Sequence, residues 1–133
     1  MFGHMTRLLL VCISLLLAGC GETCRNEVVQ EVVSPDGQNK AVIFQRDCGA
    51  TSSFTTQVSV LRRNETLSGS GNVFVADDNH GLVEVGDWGG PWVGVRWLTA
   101  NQLLVTYAKG SRIFEQAKNV GPVKVSFQMK PSR

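Results

Sequence analysis

Apolar and polar positions alternate along much of this chain, most cleanly in Val123-Lys124-Val125-Ser126-Phe127-Gln128. A period of two predicts a strand with one buried face. Thr55 to Arg62 repeats the pattern, setting Thr56, Val58 and Val60 against Gln57, Ser59 and Leu61. Val28-Val29-Gln30-Glu31-Val32-Val33 has a spacing that would also suit one helical face. Its valines make a strand the better reading, because branching at Cβ restricts χ1 and favours extended backbone. The run stops at Ser34-Pro35-Asp36-Gly37, where Pro35 presets φ and Gly37 accepts a positive φ. A tight turn there brings Ala41-Val42-Ile43-Phe44 back as the second arm of a hairpin.

Further segments follow at short intervals. Residues 47 to 53 read as loop and Ser68-Gly69-Ser70-Gly71 as a flexible connection, followed by a short strand at Val73-Phe74-Val75. Asp77-Asp78-Asn79-His80-Gly81 reads as a hairpin tip, after which Leu82-Val83-Glu84-Val85 extends again. Gly86-Asp87-Trp88-Gly89-Gly90-Pro91 is a glycine-rich loop. Strands at Trp92 to Leu98 and Gln102 to Tyr107 are joined by Thr99-Ala100-Asn101, whereas Ile113 to Lys118 fits either a strand end or a helical turn. About seven or eight strands between turn signals predict an all-β domain, an antiparallel sandwich or small barrel.

The N-terminal stretch obeys a different rule. Leu8 to Leu17 is apolar save for Ser14 and follows Arg7. It falls short of the roughly 20 residues that cross a hydrocarbon core, so it reads as a signal peptide rather than a spanning helix. Leu17-Ala18-Gly19-Cys20 resembles the lipobox of bacterial lipoproteins. That resemblance implies cleavage before Cys20 and a diacylglycerol thioether on it, which makes the membrane a partner. The expected organisation is a signal peptide over 1–19, a short leader over 20–26 and a β domain over 27–133. Gly21 follows the lipidated position, where Asp would imply inner-membrane retention, so the resemblance implies an outer membrane and a periplasmic domain.

Removing the signal peptide leaves Cys24 and Cys48 beside the lipidated cysteine. An oxidising compartment makes a disulfide the leading reading, ahead of two buried thiols or a metal pair. The spacing is not CxxC and no second ligand pair accompanies it, which counts against metal. Without Arg7 the mature chain has twelve basic and eleven acidic side chains, and only Arg62 and Arg63 are adjacent cations. No nucleic-acid partner is expected from so scattered a charge.

Candidate chemistry is sparse. Asp77-Asp78-Asn79-His80 is the densest polar cluster, with oxygens suited to a hard cation. It lacks the spaced ligands of an EF-hand loop, and no metal or other cofactor is expected. His80 could act as a base beside Asp77 or Asp78, yet no nucleophile motif such as GxSxG accompanies it. No catalytic residue is therefore assigned, and the chain reads as a non-enzyme. Trp88 and Trp92 flank Gly89-Gly90-Pro91, where exposed indoles would stack on a glycan or anchor a protein partner. The alternative puts Trp92 and Trp97 in the core and Trp88 over the end of the β structure. Trp92 and Trp97 are five apart, so on one strand they point to opposite faces.

Several family resemblances bear on function. Ser34-Pro35-Asp36-Gly37 with the following Gln38 to Phe44, and Trp97 to Val105, are similar to hairpins of TolB-like propeller blades. The chain is too short to close a propeller. The order SPDG, RDCGATSSFTTQVSVL, NVFVADDNHG and VRWL resembles a family of small bacterial lipoproteins of unknown function, which implies a fold and an address but no activity. Ser68-Gly69-Ser70-Gly71-Asn72-Val73-Phe74 and Tyr107-Ala108-Lys109-Gly110 resemble loops of small lipoproteins that inhibit c-type lysozyme. That resemblance implies Ser70 as a contact residue, although Phe74 stands where tyrosine is expected. The expectation is a non-catalytic binding or structural module of the cell envelope, with a hydrolase inhibitor and a His80 site as alternatives.

Overall fold

The computed structural model describes residues 23–49 and 54–131. Cys20 and the signal peptide lie outside the described residues. Nine strands form among them: β1 (Arg25–Val33), β2 (Asn39–Asp47), β3 (Thr55–Arg62), β4 (Phe74–Asp77), β5 (Val93–Thr99), β6 (Gln102–Ala108), β7 (Arg112–Gln116), β8 (Asn119–Val120) and β9 (Val123–Lys130). One sheet has the order β1-β2-β3-β4-β7 and the other β5-β6-β9-β8. No helix occurs among the described residues. The architecture is a sandwich of two sheets, not a closed barrel.

The first hairpin forms as the valines and SPDG require. Gly37 N donates to Ser34 O at 2.9 Å with φ of 74° at Gly37. The Asp36 carboxylate accepts from the Ser34 hydroxyl at 2.7 Å and from the Gln38 amide at 3.1 Å. At the opposite end a disulfide joins Cys24 to Cys48, with Cα atoms 4.0 Å apart. That link explains why β1 begins at Arg25, earlier than the first valine: Arg25, Asn26 and Glu27 are held opposite Asp47, Arg46 and Gln45. Between these two ends β1 carries a bulge, as Val28 pairs with Phe44 but Gln30 with Ile43. The extra residue, Val29, packs on the core.

Alternation assigns the facing side chains correctly but not the outer face. Ala41, Ile43, Val58, Val60, Phe74 and Ala76 meet Val93, Leu103, Val105, Val123 and Val125 of the other sheet. Val42, Phe44 and Leu61 point the other way and are also buried, with Leu67 packed on them. Residues 63–72 lie over this outer face as a strap, which is why Gln57 and Ser59 are buried despite being polar. Gly69 O accepts from Asn26 Nδ2 at 2.8 Å and Arg46 Nη1 at 3.0 Å. Gly71 N donates to Gln57 Oε1 at 2.7 Å and Asn72 N to Ser59 Oγ at 3.2 Å. The Asn72 amide bonds both the N–H and the C=O of Val60, as a neighbouring strand would. The Ser68 to Gly71 segment, expected to be flexible, is thus fastened to the sheet.

Two further elements depart from the expected pattern. Ile113 to Gln116 is the end of a strand, β7, rather than a helical turn, and Ala117-Lys118 is the irregular step by which the chain changes sheets. Ala117 N donates to Val73 O on one sheet, and Lys118 O accepts from Val125 N on the other. The same path then runs on as β8. Because β7 and β8 carry the chain out and back, β9 returns beside β6 in the same direction, and these two strands pair in parallel. Leu82 to Val85 forms no strand; only a bridge between Val85 and Pro91 interrupts the long connection from β4 to β5.

Replacing Cys24 and Cys48 together by serine should lower unfolding free energy by about 2–4 kcal/mol. Urea titration of oxidised wild type against the variant measures it. An equal midpoint would mean the bridge does not constrain the chain.

Candidate functional site

The register puts the Asp77 cluster, the Trp88 loop, the β6–β7 turn and the disulfide at one end of the sandwich. Asp77 is not in the turn but closes β4, and only 2 % of it is exposed. Arg112, opposite it on β7, binds the carboxylate in a fork: Nε lies 3.1 and 3.0 Å from the two oxygens, and Nη2 also reaches Oδ2. Burial opposes ionisation of Asp77. Hydrogen bonds from Arg112 and from the Asn79 amide, with the charge of Arg112, outweigh it and hold the carboxyl below its ordinary value.

Beyond Asp77 the chain runs through Asn79, His80 and Gly81 with φ of 50°, 60° and 79°. Non-glycine residues in this region are strained by about 1–2 kcal/mol each, least so for Asn. Leu82 N closes the turn on Asp78 O at 3.1 Å. His80 itself is exposed, while the Asp77 carboxylate faces Arg112. The hydrogen-bonded side-chain partner of the Asp77 carboxylate is thus Arg112. Among the described residues, no group of three or more His, Cys, Asp or Glu is arranged to hold a metal ion.

Trp88 covers the end of the sandwich. Its Nε1 donates to the buried Thr56 Oγ1 at 2.9 Å. The loop closes on itself through Gly89 N to Gly86 O at 3.0 Å and Gly86 N to Gly90 O at 2.8 Å. The indole folds back against these glycines: a Cβ at Gly86 would stand 2.3 Å from the ring, and one at Gly90 would stand 2.5 Å from Thr56 Oγ1. The glycines make room for the tryptophan. One edge of Trp88 remains open beside Glu27, Val28, Val29, Gln45 and Asp87, in a groove of about 570 Å³.

Trp92 and Trp97 separate as their spacing requires. Trp97 packs on the core and donates Nε1 to Val32 O at 2.9 Å. Trp92 lies on the outer face of the β5-β6-β9-β8 sheet beneath Lys130, whose Nζ is 4.1 Å from the ring centroid and 3.0 Å from Glu84 Oε1. A cation already covers this indole. Ser70 is exposed on the strap, far along the chain from either tryptophan. The three candidate contact residues thus belong to separate surfaces: Trp88 on the disulfide end, Trp92 on one sheet face and Ser70 over the other.

The opposite end holds what sequence reasoning missed, a cleft of about 670 Å³. Val60 and Val123 form its floor; Asp36, Arg62, Glu65, Asn72 and Asn101 are among its polar walls. Asp36 is held ionised below its ordinary pKa by the Ser34 hydroxyl and the Gln38 amide. Turn residues build this cleft from four separate connections, and no local motif announces it. Arg112, Thr56 and Lys130 were equally invisible, since each meets its partner only through strand register or sheet packing. No family model, no curated protein and no solved structure matches the chain.

Trp88→Ala should cost about 2–3 kcal/mol by opening the end of the core. Trp88→Phe should cost about 1 kcal/mol, the hydrogen bond alone. Thermal or urea unfolding reads both, and an unaffected Trp88→Ala would mean the indole is not a cover.

Asp77→Asn should destabilise by about 1–3 kcal/mol at neutral pH. A lowered folded pKa contributes stability that is present above the unfolded value, about 3.9, and is lost as pH falls through the folded one. The gap between wild type and variant should therefore close below about pH 4, measured by urea unfolding across pH. A gap that persists in acid would assign the loss to packing instead.

Proposed function

We propose that this chain is a non-catalytic lipoprotein of the bacterial envelope, anchored through lipid on Cys20 and acting by contact. The observation that carries the reading is the Cys24–Cys48 disulfide, four residues past the cysteine of Leu-Ala-Gly-Cys. A disulfide is at home in the oxidising compartment that a lipobox-bearing chain enters. Two or three acyl chains, at roughly 0.8 kcal/mol per buried CH₂, make dissociation from a bilayer negligible. Gly21 after the lipidated position favours the outer membrane, with the domain in the periplasm.

The non-catalytic part of the reading draws on the engagement of Asp77 by Arg112 and the exposure of His80. General acid–base work uses a base hydrogen-bonded to its partner, and the Asp77 carboxylate is instead held by Arg112. For contact, the cleft at the SPDG end is the surface best suited. Its amide and carboxylate walls over an apolar floor fit a peptide or glycan segment.

Metabolic labelling with a palmitate analogue tests the anchor. The wild type should carry label in the membrane fraction and Cys20→Ala should carry none. Equal labelling of both proteins would end the lipoprotein reading.

A further inference from the structure

We infer that the disulfide end of the sandwich rests on the lipid surface, with Phe54, Leu82, Val85 and Met129 entering the headgroup region, and that the SPDG-end cleft faces away from the membrane. The inference deepens the lipoprotein reading and depends on it. Two separate observations meet at this end.

The first is tether length. Cys24 is fixed at the start of β1 by its disulfide, and only three residues separate it from Cys20. A fully extended chain covers at most about 3.6 Å per residue, so the Cα atoms of Cys20 and Cys24 lie within roughly 15 Å of each other. A domain tied so closely by one end has little freedom to present the other end to the bilayer.

The second is where exposed apolar side chains lie. Leu82 is 79 % exposed, Phe54 54 %, Met129 54 % and Val85 48 %. Phe54 immediately precedes β3, Leu82 and Val85 belong to the β4–β5 connection, and Met129 is next to last in β9. By register all four are at the end that carries Cys24. At the other end the turns Pro35 to Gln38, Arg63 to Thr66, Ala100-Asn101 and Gly121-Pro122 contain no large apolar side chain, and the exposed apolar residues of its strand ends are Leu98 at 48 % and Val33 at 44 %.

The loop holding Leu82 and Val85 is fastened at several points. Asn79 Nδ2 reaches Gly110 O at 3.4 Å, Lys130 binds Glu84, and Trp88 binds Thr56. The passage through Asn79 and His80 at positive φ turns the chain just before Leu82, which stands exposed. An interfacial membrane contact would use that exposed leucine, because apolar side chains gain by entering the headgroup boundary. The charges here, Arg25, Lys109, Arg112 and Lys130 against Glu27, Asp47, Asp78, Glu84 and Asp87, are mixed, with Lys130 and Glu84 paired, so the contact draws on its apolar side chains rather than on net charge.

The test uses the full-length lipidated protein in vesicles of phosphatidylethanolamine and phosphatidylglycerol. An environment-sensitive dye is placed on Leu82→Cys in one sample and on Asn101→Cys, in the far cleft, in another. The expected result is a blue shift with several-fold brighter emission at position 82 only, quenched by nitroxide-bearing lipid. A water-like spectrum at 82, or equal shifts at both positions, in protein that carries the palmitate label overturns the orientation alone. Loss of the label itself would overturn the lipoprotein reading and the orientation with it. In a second variant, Leu82→Glu, the dye moved to Phe54→Cys should lose its shift while the acyl label stays. An unchanged shift there would remove Leu82 from the contact.

Discussion

Phe74 is fully buried, and its ring lies 5.4 Å from that of Tyr107 and 6.1 Å from that of Phe127. Its backbone pairs with Val58 on β3 and Gln116 on β7. One residue therefore ties two strands of its own sheet by main chain and two of the opposite sheet by side chain. Keeping that ring dry holds the sheets together at β4, the shortest strand of its sheet. It also fixes where β7 can leave: immediately after Gln116, the partner of Phe74, the chain crosses to the second sheet. The parallel pairing of β6 with β9 is a consequence of that crossing.

The facing pattern of β3 and β9 was legible because polar and apolar sides alternate through the middle of each strand. The same was true of the hairpin around SPDG, where turn chemistry and β-branching agree. The separation of Trp92 from Trp97 followed from parity alone. What alternation could not reveal is how the outer face of a sheet is covered. Gln57 and Ser59 read as solvent-facing, yet the strap satisfies their polar atoms and removes them from water. A segment of serine and glycine gives no local sign that it will be fastened. The sheet switch at Ala117 was illegible for a related reason. A strand that leaves one sheet and joins another presents neither a clean period nor a turn signal at the crossing.

Of the candidate site, the residue types were readable and their roles were not. Asp77, His80 and Trp88 stand out by composition, but each role depends on a partner distant in sequence: Arg112 for the carboxylate, Thr56 for the indole. Glycines 86 and 90 were the one local clue, since small residues on both sides of a tryptophan admit a ring folded back on its own loop. The polar cleft at the other end had no such clue. It arises where four turns happen to converge, which is a property of topology.

The bulge in β1 bears on how this sandwich avoids polymerising. β1 is the outermost strand of its sheet, and an open edge with regular spacing templates the addition of a foreign strand. The inserted Val29 breaks that spacing near the middle of the edge. Close to its end, the Val32 carbonyl is already engaged by the Trp97 indole. An incoming strand would find a register that fails to match on either side of Val29 and an acceptor that is occupied. The edge is left open in geometry but poorly matched to a regular incoming strand.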